Sequence, residues 1–452
     1  MHIQSSQANG QFACSRADLA ALAQAALSHA AALGASACDV DVSEGYGQSV
    51  TVRLGSVETI EYNRDKGIGV TVYFGQQKGH ASTSDFSPKA LRDTVAAAAS
   101  IARYTAADDC AGLADAALLA RSQPDLDLYH PWALPVEQAI DLAHRCEAAA
   151  RGADARISNS EGATVSTQSG HFIYANSNGF CDGYASSRHS ISCSVIAESA
   201  GGMQRDYWYS VARQADDLLS AEAVGQMAGE RTARRLGARR IATCQVPVLF
   251  DASLAAGLIG HFISAISGGA LYRKSSFLLD SLGQQVFSPL VQISERPHLA
   301  RGLASSAFDA EGVATRDREL VSQGVVNGYL LGSYSARKLG LQSTGNAGGS
   351  HNLLVASTGE DVTALLQKMG SGLLVTELLG HGVNQVTGDY SRGAAGFWVE
   401  NGVLAFPVEE ITIAGNLREM FRGVVAIGND ILIRGSKQCG SILIDRMTVA
   451  GN

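Results

Sequence analysis

Between residues 15 and 236 the chain spells one order of elements twice: a helix, a run of strands, a closing helix. That order constrains the fold more than any single motif. Ser15 stands where a helix N-cap belongs, Asp18 is placed to return a bond to the cap backbone, and Gly34 supplies a stop, so a helix is expected through Leu33. Strand-like runs follow at 39–42, 49–54, 59–62 and 67–74. Ser87-Pro88 opens a helix to about Arg103, with serine as cap and proline at the first helical position. The second round starts at Pro135, with a helix to about Arg151, strand-like runs at 164–169, 171–175 and 190–196, and a helix over 220–236. The two rounds share pattern rather than residues.

Past residues 237–243 the texture changes. Residues 246–250 read as a buried strand and 251–267 as an apolar helix. The remainder reads mostly as strands, interrupted by a short helix at 361–369. Asn327-Gly328 and Asn401-Gly402 predict tight hairpins, because both residue types tolerate positive φ. The expected fold class is α+β: an N-terminal half of two helix–strands–helix units and a C-terminal β-rich domain with a buried helix. The expected domains are 1–124, 125–240 and 241–452, in keeping with a 452-residue chain.

Composition narrows the function classes. With 46% hydrophobic and 17% charged residues, the chain reads as an ordinary globular protein. A net charge of -8 argues against general nucleic-acid binding. The one basic run, residues 231–240 (RTARRLGARR), ends a helical segment, where cations suit the helix dipole. Residues 1–16 lack the charged and apolar regions of a signal peptide, and no window reaches the roughly 18 apolar residues of a membrane helix. The eight cysteines include no CxxC pair. The expectation is reduced thiols in a cytoplasmic protein, with neither membrane nor nucleic acid as partner.

The chemistry-bearing motifs are incomplete. Thr376-Glu-Leu-Leu-Gly-His381 looks like a zinc-protease helix motif whose first histidine is a threonine. A hydrolytic zinc site needs two imidazoles, a carboxylate base and a third ligand. For Glu377 and His381 the plainer expectation is a loop or strand end near a cleft. Residues 345–349 (GNAGG) could bring bare backbone to a ligand or simply turn. Asp206-Tyr-Trp-Tyr209 could line a peptide groove or form a core strand or subunit interface. Asp389 and Arg392 could form a structural ion pair or contact a substrate backbone.

Several longer segments carry a family resemblance: MQRDYWYS (203–210), RRLGARRI (234–241), SARKLGLQSTGNA (335–347), TGDYSRGAAGFWVENG (387–402), ITIAGNL (411–417), and GND with QCGS (428–430, 438–441). Together they resemble the TldD/PmbA family of zinc peptidases, on its PmbA (TldE) branch, over nearly the full length. The resemblance implies a cytoplasmic heterodimer. A TldD-type subunit carries an HExxxH helix and binds zinc, with a cysteine near the C-terminus as third ligand. The PmbA-type subunit lacks the complete metal motif. Peptides or unfolded polypeptides are the implied substrates, with peptide-antibiotic maturation and antitoxin turnover as the roles.

Order and spacing place the family's motif at residues 256–261, which here read Ala-Gly-Leu-Ile-Gly-His. Ala256 then stands for the first ligand and Gly257 for the base. His261 and Cys439 remain as vestigial metal positions, and no catalytic residue is expected in this chain alone. Zinc is expected in the partner subunit, with none firmly assigned to this chain. Residues five apart on a helix diverge by about 140°, so an HExxxH site needs a distorted helix. Tyr207, Trp208, Asn346, Asp389 and Arg392 are the substrate-binding candidates. Two other readings stay open: a homodimeric peptide-binding or regulatory protein without proteolytic role, and a hydrolase using Cys439 as nucleophile with His261 or His381 as base.

Overall fold

The computed structural model describes residues 12–451. Most of the segment read as lacking a signal peptide lies outside them. No helix among the described residues is long and apolar enough to cross a membrane.

The first two helices form as their caps dictate. In α1 (Arg16–Ala32) Ser15 and Asp18 make the reciprocal capping box, and α2 (Pro88–Tyr104) starts on Ser87 with proline inside the first turn. α3 (Val136–Gly152) begins after Pro135, and α4 (Ala221–Arg234) is capped by Ser220.

The strands of the two rounds do not form two sheets. β1 (Ala37–Arg53), β2 (Ser56–Phe74), β3 (Gln77–Thr83), β4 (Ile157–Asn176), β5 (Cys181–Asp182), β6 (Ala185–Ser199) and β7 (Gly202–Ala212) make one seven-stranded sheet. Its order is β3-β2-β1-β4-β6-β7, with β5 on β4, and β1 pairs with β4 along most of its length. Alternate residues of β1 face the helices. Cys38, Val40 and Val42 pack under α1 and α2, while Val50 and Val52 pack under α3. One strand thus serves both helix pairs.

Polar groups occupy the sheet between the two pairs. Buried Glu44 sits opposite His171 and accepts the N–H groups of Ala13 (2.7 Å) and Cys14 (2.9 Å). Burial pushes its carboxyl pKa up, but those two amides and His171 outweigh this and hold it below the ordinary value. At the β1–β2 turn, Leu54 and Gly55 both take positive φ, and Glu147 of α3 accepts both N–H groups at 2.8 Å.

The C-terminal half holds two six-stranded sheets around one helix. β8 (Cys244–Phe250) joins β13 (Gly372–Leu379), β14 (Asp389–Glu400), β15 (Val403–Asn416), β16 (Val424–Ile427) and β19 (Ile442–Ala450) in the order β15-β14-β13-β8-β19-β16. The other sheet runs β11-β10-β9-β12-β18-β17. It comprises β9 (Ile293–Glu295), β10 (Arg318–Ser322), β11 (Val325–Val326), β12 (Leu353–Val355), β17 (Leu432–Ile433) and β18 (Lys437–Cys439). Between the sheets lies α5 (Ala252–Ala265), capped by Asp251, with Leu258, Ile259 and Phe262 in the shared core. Burying three such side chains stabilises by roughly 6 kcal/mol, which explains a helix with few polar positions. Short helices α6 (Gly268–Tyr272), α7 (Ser333–Leu339) and α9 (Leu417–Arg422) bridge the strands, and α8 (Val362–Met369) covers the outer face of the larger core's sheet through Leu365, Leu366 and Met369.

Of the two predicted hairpins, Asn401-Gly402 forms between β14 and β15 with both residues at positive φ. The other is displaced: the β10–β11 turn is Gln323-Gly324, and Asn327 follows β11 with its amide on Ser322 Oγ. Gly324 lies so close to Gln285 and the Phe287 carbonyl that no side chain would fit there.

The basic run 231–240 is tied into the fold by its side-chain contacts: Arg235 is buried, while Arg234, Arg239 and Arg240 stay exposed. Arg231 lies 3.4 Å from buried Asp206, Arg234 stacks over Phe397 and Arg239 over Phe406. Arg235 reaches Asp206 on β7 (3.8 Å), the Arg205 carbonyl (2.9 Å) and Glu377 on β13. The run ties the N-terminal sheet to the C-terminal half.

Candidate functional site

The centre of interest is α5 and the strands around it. β8 delivers the chain to Asp251, whose N–H bonds the Val375 carbonyl of β13 and whose carboxylate accepts the Ser253 N–H (2.9 Å). α5 then runs as a regular helix without a bulge. Ala256 and His261 therefore diverge around its axis and do not face one point. Gly257 is exposed, and a Cβ there would meet nothing within 4 Å, so the missing carboxylate is not excluded by crowding.

His261 is half-buried. Its Nδ1 lies 3.2 Å from Gln385 Nε2, and the Tyr390 ring meets it edge-on at 6.0 Å. Burial, and then the cation of Arg392, lower its pKa, so the imidazole stays neutral at neutral pH. Arg392, half-buried, bonds the Leu378 carbonyl at 3.5 Å, while its Nε has no partner. A guanidinium beside the one imidazole opposes a divalent cation there. Cys439, on β18, is buried in the C-terminal core against Leu432 of β17, with its Sγ 3.2 Å from the Gly440 carbonyl. Burial, followed by Asp430, pushes its thiol up to about 12, and only the thiolate is a metal ligand or strong nucleophile.

Among the described residues no three His, Cys, Asp or Glu side chains come together in a way that could hold a metal. The residues present do not fit a zinc ion.

The other candidates separate. Thr376-Glu-Leu-Leu-Gly-His381 is not a helix: Thr376–Leu379 end β13, Gly380 turns at φ 73° and His381 is exposed. Glu377 is engaged by Arg235. Asp389 and Arg392 form no ion pair. Asp389 accepts from Thr387 (2.6 Å) and Asn416 (3.2 Å), bonds that hold its carboxyl below the ordinary range. Asn346 sits in the loop that follows α7. It is buried, and its amide is fully used by Arg318, Thr344, Glu295 and Gly349 within a turn that its neighbouring glycines permit. The signal missed in the sequence is Glu295, whose buried carboxylate organises this loop through Arg318 (2.6 Å), Asn346 (2.9 Å) and the His351 N–H (2.8 Å).

Tyr207 and Trp208 lie on β7, at the free edge of the seven-stranded sheet. Trp208 packs inward with α4, between the guanidinium groups of Arg231 (5.0 Å) and Arg434 (3.8 Å), and Tyr207 is half exposed. Beside them opens a cavity of about 360 Å³, walled by β7 on one side and β17 on the other.

Comparison with known proteins fits this architecture. Residues 38–102 match the profile of PmbA/TldA metallopeptidase domain 1, residues 129–236 the central domain and residues 243–451 the C-terminal domain. The chain belongs to the PmbA/TldD metallopeptidase family, on its PmbA branch. It is 52% identical over 413 residues to the metalloprotease PmbA of Escherichia coli, covering 91% of this chain and 92% of that protein. It is also 52% identical over 421 residues to a metalloprotease PmbA homolog of Haemophilus influenzae, with 93% of each covered. A Bacteroides thetaiotaomicron protein of solved structure, named as a candidate modulator of DNA gyrase, superposes with a TM-score of 0.91 at 29% identity, covering 96% of this chain and 98% of that one. TldE of Thermococcus kodakarensis shares the PmbA-family fold at a TM-score of 0.83 and 17% identity.

Proposed function

We propose that this chain is the PmbA (TldE)-type subunit of a cytoplasmic two-subunit zinc metalloprotease that cleaves peptides or unfolded polypeptides. In this reading a TldD-type partner supplies the zinc and the base, and this chain completes the enclosure and holds peptide. The observation that carries it is α5: at the family's motif position it presents Ala256 and Gly257 on an undistorted helix, leaving His261 beside a guanidinium and Cys439 as a buried thiol. A methyl group and a hydrogen neither bind metal nor take a proton from water. The same burial weighs against Cys439 as a nucleophile.

The outer half of β2 supports a subunit contact. Its residues 56–66 pair only with β1, and Val57, Ile60 and Tyr62 stand exposed along that edge. Free strand edges of this kind recruit another chain. A second copy of this chain on that edge, as in the homodimeric reading, is the competing occupant.

The test is reconstitution. The purified chain, a TldD-type subunit from the same source and their equimolar mixture are given an unfolded polypeptide substrate. Hydrolysis is expected only with the TldD-type subunit present, greatest in the mixture and abolished by a chelator. Equal hydrolysis by this chain alone, or no complex at micromolar concentrations, would contradict the reading.

A further inference from the structure

The cavity between β7 and β17 has features that its structural role leaves unexplained. Both walls are sheet edges: β7 pairs only with β6, and β17 only with β18. The floor is apolar, from Val211, Leu219, Leu303 and Leu432. Two half-buried guanidinium groups, Arg213 and Arg434, line it without an ion pair to any described carboxylate. Buried cations are ordinarily paired. Arg213 spends its donors on the carbonyls of Ser187, Gly302 and Leu303. The third cation of the wall, Arg301, is already matched by Asp217 (3.1 Å) and Asp127 (3.3 Å). Arg434, like Arg213, has no ion pair to a described carboxylate, and it alone stands against the aromatic rings of β7.

Its position is specific. The guanidinium lies 3.8 Å from the Trp208 ring and 4.1 Å from the Tyr209 ring, and donates to the Tyr209 carbonyl at 3.0 Å. Consecutive strand residues point to opposite faces. A group that touches both rings and the Tyr209 carbonyl therefore sits off the strand's edge, in line with its backbone. Since the Tyr209 carbonyl points away from β6, the period of two turns the N–H and C=O of Val211 the same way, into the cavity.

We propose that this cleft binds the C-terminal end of an extended peptide. The peptide adds antiparallel to β7, exchanges main-chain hydrogen bonds with Val211, and ends with its carboxylate on Arg434. Arg434 blocks the edge at Tyr209, so the added strand stops there, and a chain terminus is what an in-line guanidinium meets. Apolar side chains near that terminus suit the floor. Strand addition of this kind reads backbone rather than sequence, with specificity from alternate side chains.

The inference rests on the peptide-handling reading above but is tested apart from it, because it needs only binding to this chain and no hydrolysis. Fluorescence anisotropy would follow an N-terminally labelled Thr-Val-Thr-Val-Leu peptide in three forms: free acid, C-terminal amide, and amide with glutamate replacing the second valine. The free acid is expected to bind the wild-type chain about tenfold or more tighter than the plain amide. Arg434→Gln is expected to erase that difference, so that acid and amide bind the variant equally. Equal binding of acid and amide to the wild-type chain would overturn the proposal without any variant. So would absence of binding by all three peptides. Recovery by the glutamate amide would overturn the assignment to a chain terminus and point to a side-chain carboxylate instead. If reconstitution fails but the acid preference is found, the peptide cleft stands and the two-subunit reading falls.

Discussion

Glu295→Leu is expected to destabilise the chain by about 4 kcal/mol, the largest effect of any single substitution considered. Glu295 is 1% exposed and holds Arg318 by two nitrogens, at 2.6 and 3.1 Å, besides accepting from Asn346 and the His351 backbone. Removing the carboxylate leaves a buried cation unpaired and two donors unsatisfied, and breaking one side of such a pair costs about 3–5 kcal/mol. Adding Arg318→Met should recover most of the loss, because an apolar pair of similar volume tolerates burial better than half an ion pair. Urea midpoints of the two variants decide it. If the double variant is as unstable as the single, the carboxylate acts through Asn346 and the loop rather than through Arg318.

Arg235→Ala ranks second, at about 3 kcal/mol. Its guanidinium joins α4 to Asp206 and the Arg205 carbonyl on β7 and to Glu377 on β13. Asp206 keeps Arg231 at 3.4 Å, which limits the damage, but the tie between the N-terminal sheet and the C-terminal half is lost. Faster hydrogen exchange is expected in both β7 and β13. Glu377→Ala should cost about 1 kcal/mol or less, since that carboxylate is over a third exposed and screened. A larger cost for Glu377→Ala than for Arg235→Ala would show that the tie to β7 carries little of the stability.

Local signals are legible in the sequence, and pairings between distant strands are not. Serine caps, the Ser15–Asp18 box and Pro88 are interactions within four residues, so the helices they start were legible. The single sheet shared by both rounds was not. Residues 43–48 (SEGYGQ) break the hydrophobic alternation and look like a turn, yet they run straight through the middle of β1. Gly47 pairs with Gln168 of β4 in the continuous ladder, so the glycine there does not mark a turn. Likewise Gln323 takes the positive φ that Asn327 seemed better suited to, because Gly324 must nestle against Gln285.

At the candidate site, the degenerate motif at Ala256 and Gly257 was visible because it is a matter of residue identity. The surroundings of His261 were not, since Arg392 and Gln385 reach it from a strand and a loop more than a hundred residues away. Asn346 is a ligand-contact candidate in the sequence because the bare backbone of its glycine-rich loop could approach a ligand. The carboxylate that buries it, Glu295, lies 51 residues earlier.

On the proposed reading this chain does not build a zinc site of its own. The most direct measurement is zinc per chain in the protein purified alone, by elemental mass spectrometry after mild dialysis. Far less than one zinc per chain is expected, unchanged in His261→Ala and Cys439→Ser. About one zinc per chain, lost in either variant, would contradict it and place a working metal site on α5 and β18.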